Sequence, residues 1–204
     1  MKHGFRGCVR PVLAYRRWMK FLLVMSATAA TGSALAETHG QSLRLSYGTH
    51  EVRGAATELG LRTTLLRREN FNAHGFDVLF VHSASSSESA EKQQLVPFFM
   101  QDGESASLRT HEGADCVLRD FRLTVAPESG PVVVVAEREL HESYFEELPV
   151  RFREFTLHRN AEGVPGRPSL YFEESRSWHS KSSYCDVGDA LQRELGLADR
   201  RTPG

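Results

Sequence analysis

The sequence predicts a mainly β protein, built as an antiparallel β-sandwich or as two small β-subdomains with one C-terminal helix. Three observations carry this. Most apolar residues fall in short alternating or β-branched runs separated by Gly, Pro, Ser and Asn. One segment holds four consecutive valines, Val132 to Val135. A single helical signal closes the chain, with a cap at each end. With 40% apolar and 25% charged residues among 204, the composition is ordinary for a globular protein and excludes a disordered tail or a collagen-like fibre.

The strand signals run in order. Ser42 to Tyr47 alternates Leu43 and Leu45 with polar neighbours. Phe76 to His82 is rich in β-formers. Leu95 to Met100 is another run, with Pro97 marking an edge or a bulge. Ala106 to Thr110 is short, and Cys116 to Val125 is long. Pro131 to Glu137, with its valines, predicts a strand buried on both faces. Val150 to Arg159 and Ser169 to Trp178 flank the Gly/Pro-containing stretch from Asn160 to Pro168 and predict a hairpin with a longer loop. Ser83 to Glu91 predicts a polar flexible loop. Leu140 to Leu148 reads either as a short acidic helix or as a strand continuation. The helix spans Asp186 to Leu195, with Asp186 as N-cap, Asp189 in the first turn and Gly196 as the stop. Val187, Ala190, Leu191 and Leu195 share one face, so the helix packs on the body. Residues beyond Asp199 are expected to fray.

Two strands are alike. Leu118-Arg119-Asp120-Phe121-Arg122-Leu123 and Phe152-Arg153-Glu154-Phe155-Thr156-Leu157 share an apolar-Arg-acid-Phe-x-Leu pattern. The alternation slips once in each, as a β-bulge would cause. They are expected either to occupy equivalent places in two related sheets or to match by chance.

Residues 1–36 read as a signal peptide. They contain six cations (Lys2, Arg6, Arg10, Arg16, Arg17 and Lys20) and no acid, then the apolar run Phe21 to Met25, then small residues ending in Ala34-Leu35-Ala36. The basic region is long, which leaves Met19 as an alternative start. Arg16-Arg17 leaves the twin-arginine route open beside general secretion. An exported chain starting at Glu37 belongs in the periplasm or outside the cell. It keeps 19 cations against 26 acids, which argues against nucleic acid as a partner. No apolar stretch after residue 36 approaches the ~20 residues of a membrane span. Residues 37–204 fit one domain or two halves dividing near 126–131.

Two cysteines survive leader removal. In an oxidising compartment Cys116 and Cys185 most simply form a disulfide. Cys185 also stands just before a helix start, where a reactive thiolate would be favoured.

Catalytic machinery is hard to find. The chain has no Gly-x-Ser-x-Gly, no phosphate-binding loop and no dinucleotide fingerprint. Ser89-Ala90-Glu91-Lys92 has the Ser-x-x-Lys form, but it lies in the Ser-rich loop without the companion motifs of serine β-lactamases. Eight histidines remain after residue 36, none in His-x-His or His-Glu-x-x-His spacing, so no metal or other cofactor is expected. Paired acids such as Glu146-Glu147 read as solvated surface. Two polar segments stand out as ligand candidates. In Asn70-Phe71-Asn72-Ala73-His74-Gly75-Phe76-Asp77, the side chains of Asn70, Asn72, His74 and Asp77 precede or begin an apolar strand. The second runs from Ser177 to Tyr184, where Trp178, His179 and Tyr184 form a binding surface or cover the core. The turn reading of the first segment is the simpler one, since Asn side chains satisfy local backbone.

The stretch Asn70 to Asp77, the pair Asp115-Cys116 and the ending Ser183-Tyr184-Cys185-Asp186-Val187-Gly188-Asp189-Ala190 resemble the carbapenem intrinsic-resistance proteins of the CarF and CarG type. The resemblance implies a periplasmic protein that protects against a carbapenem without β-lactamase activity, and it implies no catalytic residue. The expected function is therefore non-enzymatic protection against a β-lactam, by binding it or by shielding its target. The alternative is a periplasmic inhibitor, immunity or protein-interaction module. A third possibility is an enzyme whose site is built from His74, Asp77 and His179.

Overall fold

Four consecutive valines show how the chain is layered. The computed structural model describes residues 40–52, 60–69, 74–83, 94–113, 115–126 and 130–202. In chain order they form β1 (Leu45–Ser46), β2 (Gly48–Glu51), β3 (Leu61–Arg68), β4 (Phe76–Ser83), β5 (Gln94–Leu95), β6 (Phe98–Met100) and β7 (Gly103–Ser105). Then come β8 (Leu108–Arg109), β9 (His111–Glu112), β10 (Val117–Ala126), β11 (Gly130–Glu137), β12 (Leu148–Arg159), β13 (Leu170–Tyr184), α1 (Val187–Leu195) and β14 (Arg201–Thr202). Seven strands make one sheet in the order β7-β6-β13-β12-β11-β10-β9; β2-β3-β4-β5 make a second, with β8 also on β4; β1 and β14 form a parallel pair.

Strand β11 lies near the middle of the seven-stranded sheet. Val133 and Val135 point into a core shared with the second sheet, among Leu65, Leu79, Phe98, Phe155 and Phe172. Val132, Val134 and Ala136 point the other way, onto Val187, Ala190 and Leu191 of α1. Alternate side chains of a strand face opposite sides, so an unbroken valine run requires cover on both. The architecture is a β-sandwich with one helix on its outer face, as the patterning predicts.

The same two-sided cover explains the slipped alternation. Phe121 and Phe155 enter the inter-sheet core, whereas Phe152 faces α1. Register shifts are also present, between Val117 and Arg119 against β9 and between Glu154 and Phe155 against β13. The similar strands β10 and β12 are not equivalents in two sheets, because both flank β11 in one sheet.

Helix α1 is capped as expected. Asp186 Oδ1 accepts the Gly188 amide at 2.7 Å. Gly196, at φ 70°, takes the left-handed conformation and its amide reaches back into the last turn. Asp186 Oδ2 also accepts the Val117 amide at 3.1 Å, which fastens the helix start to β10. The disulfide Cys116–Cys185, with Cα atoms 5.7 Å apart, closes the same junction. Cys185 is thus a bridge and not a free thiol.

Several expectations change. The run from Leu95 to Met100 is two strands in two sheets: β5 pairs with β4 and β6 pairs in parallel with β13. Pro97 lies at the crossing, where its missing N–H costs nothing, and its carbonyl accepts the Phe172 amide at 2.8 Å. The segment between β11 and β12 is neither helix nor strand. Buried Arg138 holds it as a loop by donating to the carbonyls of Cys185 (2.9 Å), Glu139 (3.1 Å) and Tyr144 (2.6 Å). The C-terminus does not fray at Asp199, since Arg201 and Thr202 pair with Leu45 and Ser46. Residues 126 and 130, inside the interval considered as a division, close the β10–β11 hairpin. Residues 1–36, read from the sequence as a signal peptide, most of the Ser-rich loop, and both Asn70 and Asn72 lie outside the described residues. Among the described residues, no helix is long and apolar enough to cross a membrane.

Candidate functional site

The residues singled out from the sequence part company in the fold. Asp77 is 2% exposed on β4. Its carboxylate accepts from Tyr47 Oη at 3.1 Å, Arg67 Nη1 at 3.3 Å and Arg201 Nη1 at 2.9 Å. Its amide donates to Thr110 Oγ1 at 2.8 Å. Arg201 also donates to Asp120 Oδ2 at 2.8 Å, and Asp120 is bridged by Arg122 Nη1 at 2.7 Å. Buried charges persist when paired and hydrogen-bonded, and this cluster pairs a carboxylate from each sheet through one guanidinium. Asp77 is held by protein donors and does not line the cleft described below.

The second candidate segment is a strand distortion with a structural partner. Between Pro149 and Arg151 the β12–β13 register slips. The amides thereby released on β13, those of Lys181 and Ser182, donate to the Glu194 carboxylate of α1 at 2.9 and 3.2 Å. Tyr184 Oη donates to the same carboxylate at 3.1 Å; burial, then this contact, raises the phenol's pKa. Trp178 packs its ring 5.5 Å from Phe152 under the Arg176 guanidinium, 4.7 Å away. His179 alone of the three is exposed, on a shallow cleft with Glu137, His141 and Arg151. Trp178 and Tyr184 thus cover the helix side of the sheet.

His74 sits elsewhere, on a cleft of about 490 Å³ with Phe76, Arg109, His111, Arg119 and Tyr144. The start of β4, β8 and β9 build one side, β10 and the Arg138-held loop the other. The Phe76 ring lies under the Arg109 guanidinium at 5.1 Å and under Arg68 at 5.5 Å. His111 meets Tyr144 edge to face with centroids 6.5 Å apart. Gly113 makes this wall possible: a Cβ there would stand 2.8 Å from the Cys116 carbonyl and strike the Tyr144 ring. Tyr144 is therefore fixed by its own carbonyl on Arg138, by Gly113 and by the adjoining disulfide.

The charge of this cleft is uneven. Arg119 is paired with Glu137 at 2.9 Å. Glu112 is held by Arg67, whose Nη2 is 2.9 Å from Oε2. Among the described residues no carboxylate lies within ion-pair distance of Arg109. Partial burial, then the charges of Arg119 and Arg109, lowers the His111 pKa and favours its neutral form. A cationic wall, an imidazole and an aromatic surface can together receive a small anion with an apolar body. Of these groups the sequence reading singled out only His74 as a site residue. Arg109 and His111 come from one stretch and Arg119 and Tyr144 from two others, in no recognisable motif, and the pairing of β8 on β4 and β9 on β10 gathers them.

Comparison with known proteins gives one informative result. The chain superposes on the crystal structure of CarG with a TM-score of 0.62 at 17% sequence identity, over 78% of this chain and 99% of CarG. At that identity the likeness is one of fold. No protein-family model matches the sequence, and no curated protein matches it.

Proposed function

We propose that this chain is an exported, non-enzymatic protein that protects against a β-lactam of the carbapenem type, by binding the compound or shielding its target. The observation that carries the reading is the extent of the fold likeness, which takes in 99% of CarG. The residue-level resemblance across Asn70 to Asp77 and Ser183 to Ala190 points the same way. The export-signal pattern of residues 1–36 and the absence of β-lactamase motifs in the sequence agree with this reading.

The test is carbapenem tolerance of a sensitive host with a periplasm, expressing the chain with and without residues 1–36. Leader-dependent tolerance with the antibiotic intact in the medium supports the reading. Tolerance with the antibiotic destroyed means a hydrolase, and no tolerance in either form removes the reading.

A second reading, a protein-interaction module, is favoured by one feature. On the loop held by Arg138, Phe145 is 62% and Leu140 45% exposed, beside the exposed acids Glu139, Glu142 and Glu147. An apolar projection ringed by acids suits a cationic protein partner. Recovery of a stoichiometric basic protein with the wild type, lost on Phe145→Ser, would shift the assignment to this module.

A further inference from the structure

We propose that the cleft beside β4 and β9 binds the carboxylate of a small ligand, with Arg109 as the anchoring cation, Phe76 as the apolar platform and His111 as a hydrogen-bonding partner. The inference deepens the protective reading above and rests on it for the choice of ligand, a carboxylate-bearing β-lactam.

Charge compensation selects Arg109. Of the charged groups at the cleft, Arg119 is neutralised by Glu137 and Glu112 by Arg67. Arg109 has no carboxylate partner and makes no side-chain hydrogen bond among the described residues; its contact is the face of Phe76. Stacking occupies the face of a guanidinium and leaves its in-plane N–H groups available for a carboxylate. Phe76 carries a second such cation, Arg68, over its ring, and Arg68 likewise has no ion-pair partner among the described residues. Of these two cations only Arg109 lines the cleft itself, so the cleft offers one guanidinium to a carboxylate. The volume of about 490 Å³ lies within the range of small-molecule sites.

The groups facing His111 are Arg109 from β8, Glu112 beside it on β9, Arg119 from β10, His74 ahead of β4 and Tyr144 from the loop. A bound anion adds negative charge to that set and favours the imidazolium. Binding should therefore raise the His111 pKa and tighten as the pH falls through it.

The experiment uses the chain without residues 1–36, titrated with a carbapenem, with its carboxyl methyl ester and with benzoate. Affinity is followed calorimetrically and the His111 ring by NMR. Carbapenem binding should shift the His111 resonance, the ester should bind about tenfold or more weakly, and Arg109→Gln should lose a similar factor. Arg109→Lys should lose less, and His111→Gln should flatten the pH dependence. Arg109 is exposed, so a thermal midpoint equal to the wild type checks that the variants fold. Carbapenem binding unaffected by Arg109→Gln and by esterification overturns the inference while leaving the protective reading in place. Benzoate binding that depends on Arg109, without carbapenem binding, upholds the carboxylate site and removes the β-lactam as its ligand. No perturbation of His111 by either compound overturns the inference.

Discussion

Arg201 does more for this structure than its place near the end of the chain suggests. Its guanidinium is paired with Asp77 at 2.9 Å, Asp120 at 2.8 Å and Asp199 at 2.6 Å. Arg201→Ala leaves Asp77 and Asp120, both 2% exposed, without this cation. Removing one partner of a buried pair costs about 3–5 kcal/mol, and urea denaturation should show a loss of that size. Asp199 supplies a pH signature. Burial raises its pKa, but hydrogen bonds from Arg201 outweigh burial and hold it at about 2. A depressed carboxylate contributes stability above its unfolded value, lost as the pH falls through the folded one. The window is therefore about pH 4 down to 2. Because the side chain is 47% exposed, solvent screening limits the effect to on the order of 1 kcal/mol. Asp199→Asn should remove that part of the acid limb of a stability–pH curve.

Helix α1 and the end of β13 depend on one another. The slip in β13 frees two amides that cannot pair with β12, and Glu194 receives both. Glu194→Ala should cost about 1–3 kcal/mol, with faster hydrogen exchange at Lys181 and Ser182 as the local readout. The disulfide closes the opposite end of the helix with a sequence separation of 69 residues. In the chain-entropy model such a loop is worth about 4 kcal/mol, so Cys116→Ser combined with Cys185→Ser should lower stability by that order. Because Tyr144 is tied to Cys185 through Arg138, the double variant should also loosen the His111 cleft, seen as averaging of the Tyr144 ring signals.

In the inter-sheet core Phe98 joins Phe155 and Phe172, stacked on Phe172 at 5.0 Å and edge-on to Phe155 at 5.8 Å. Phe98 enters from β6, Phe155 from β12 and Phe172 from β13, so three strands meet at one aromatic cluster. Phe155→Ala should cost about 3–5 kcal/mol, with the two sheets losing structure together in a single transition. Non-coincident melting of the sheets would instead mean two independently stable halves.

Much of this was written in local patterns. The valine run fixed a strand covered on both faces because alternation leaves no other arrangement. Asp186 and Gly196 marked the helix ends because capping is a contact between near neighbours, and Cys116 and Cys185 were the cysteines left to pair. Strand β3 escaped notice: Leu61, Thr63 and Leu65 alternate inward, but Thr63 and the arginines that follow weaken the apolar signal. The split at Pro97 was half visible, since proline marks an interruption but not which sheet lies on either side. The candidate site was the least legible part. His74 alone of the cleft's groups stood in the sequence reading as a site residue, and Asp77, three residues later, turned into the core because successive strand residues face opposite ways. The Arg201 cluster and the wall beside it join residues 33 to 124 positions apart, and no local pattern encodes such a meeting. Chain order determined which segments are strands; long-range strand pairing determined which charges are neutralised and left Arg109, at the cleft, with no carboxylate beside it among the described residues.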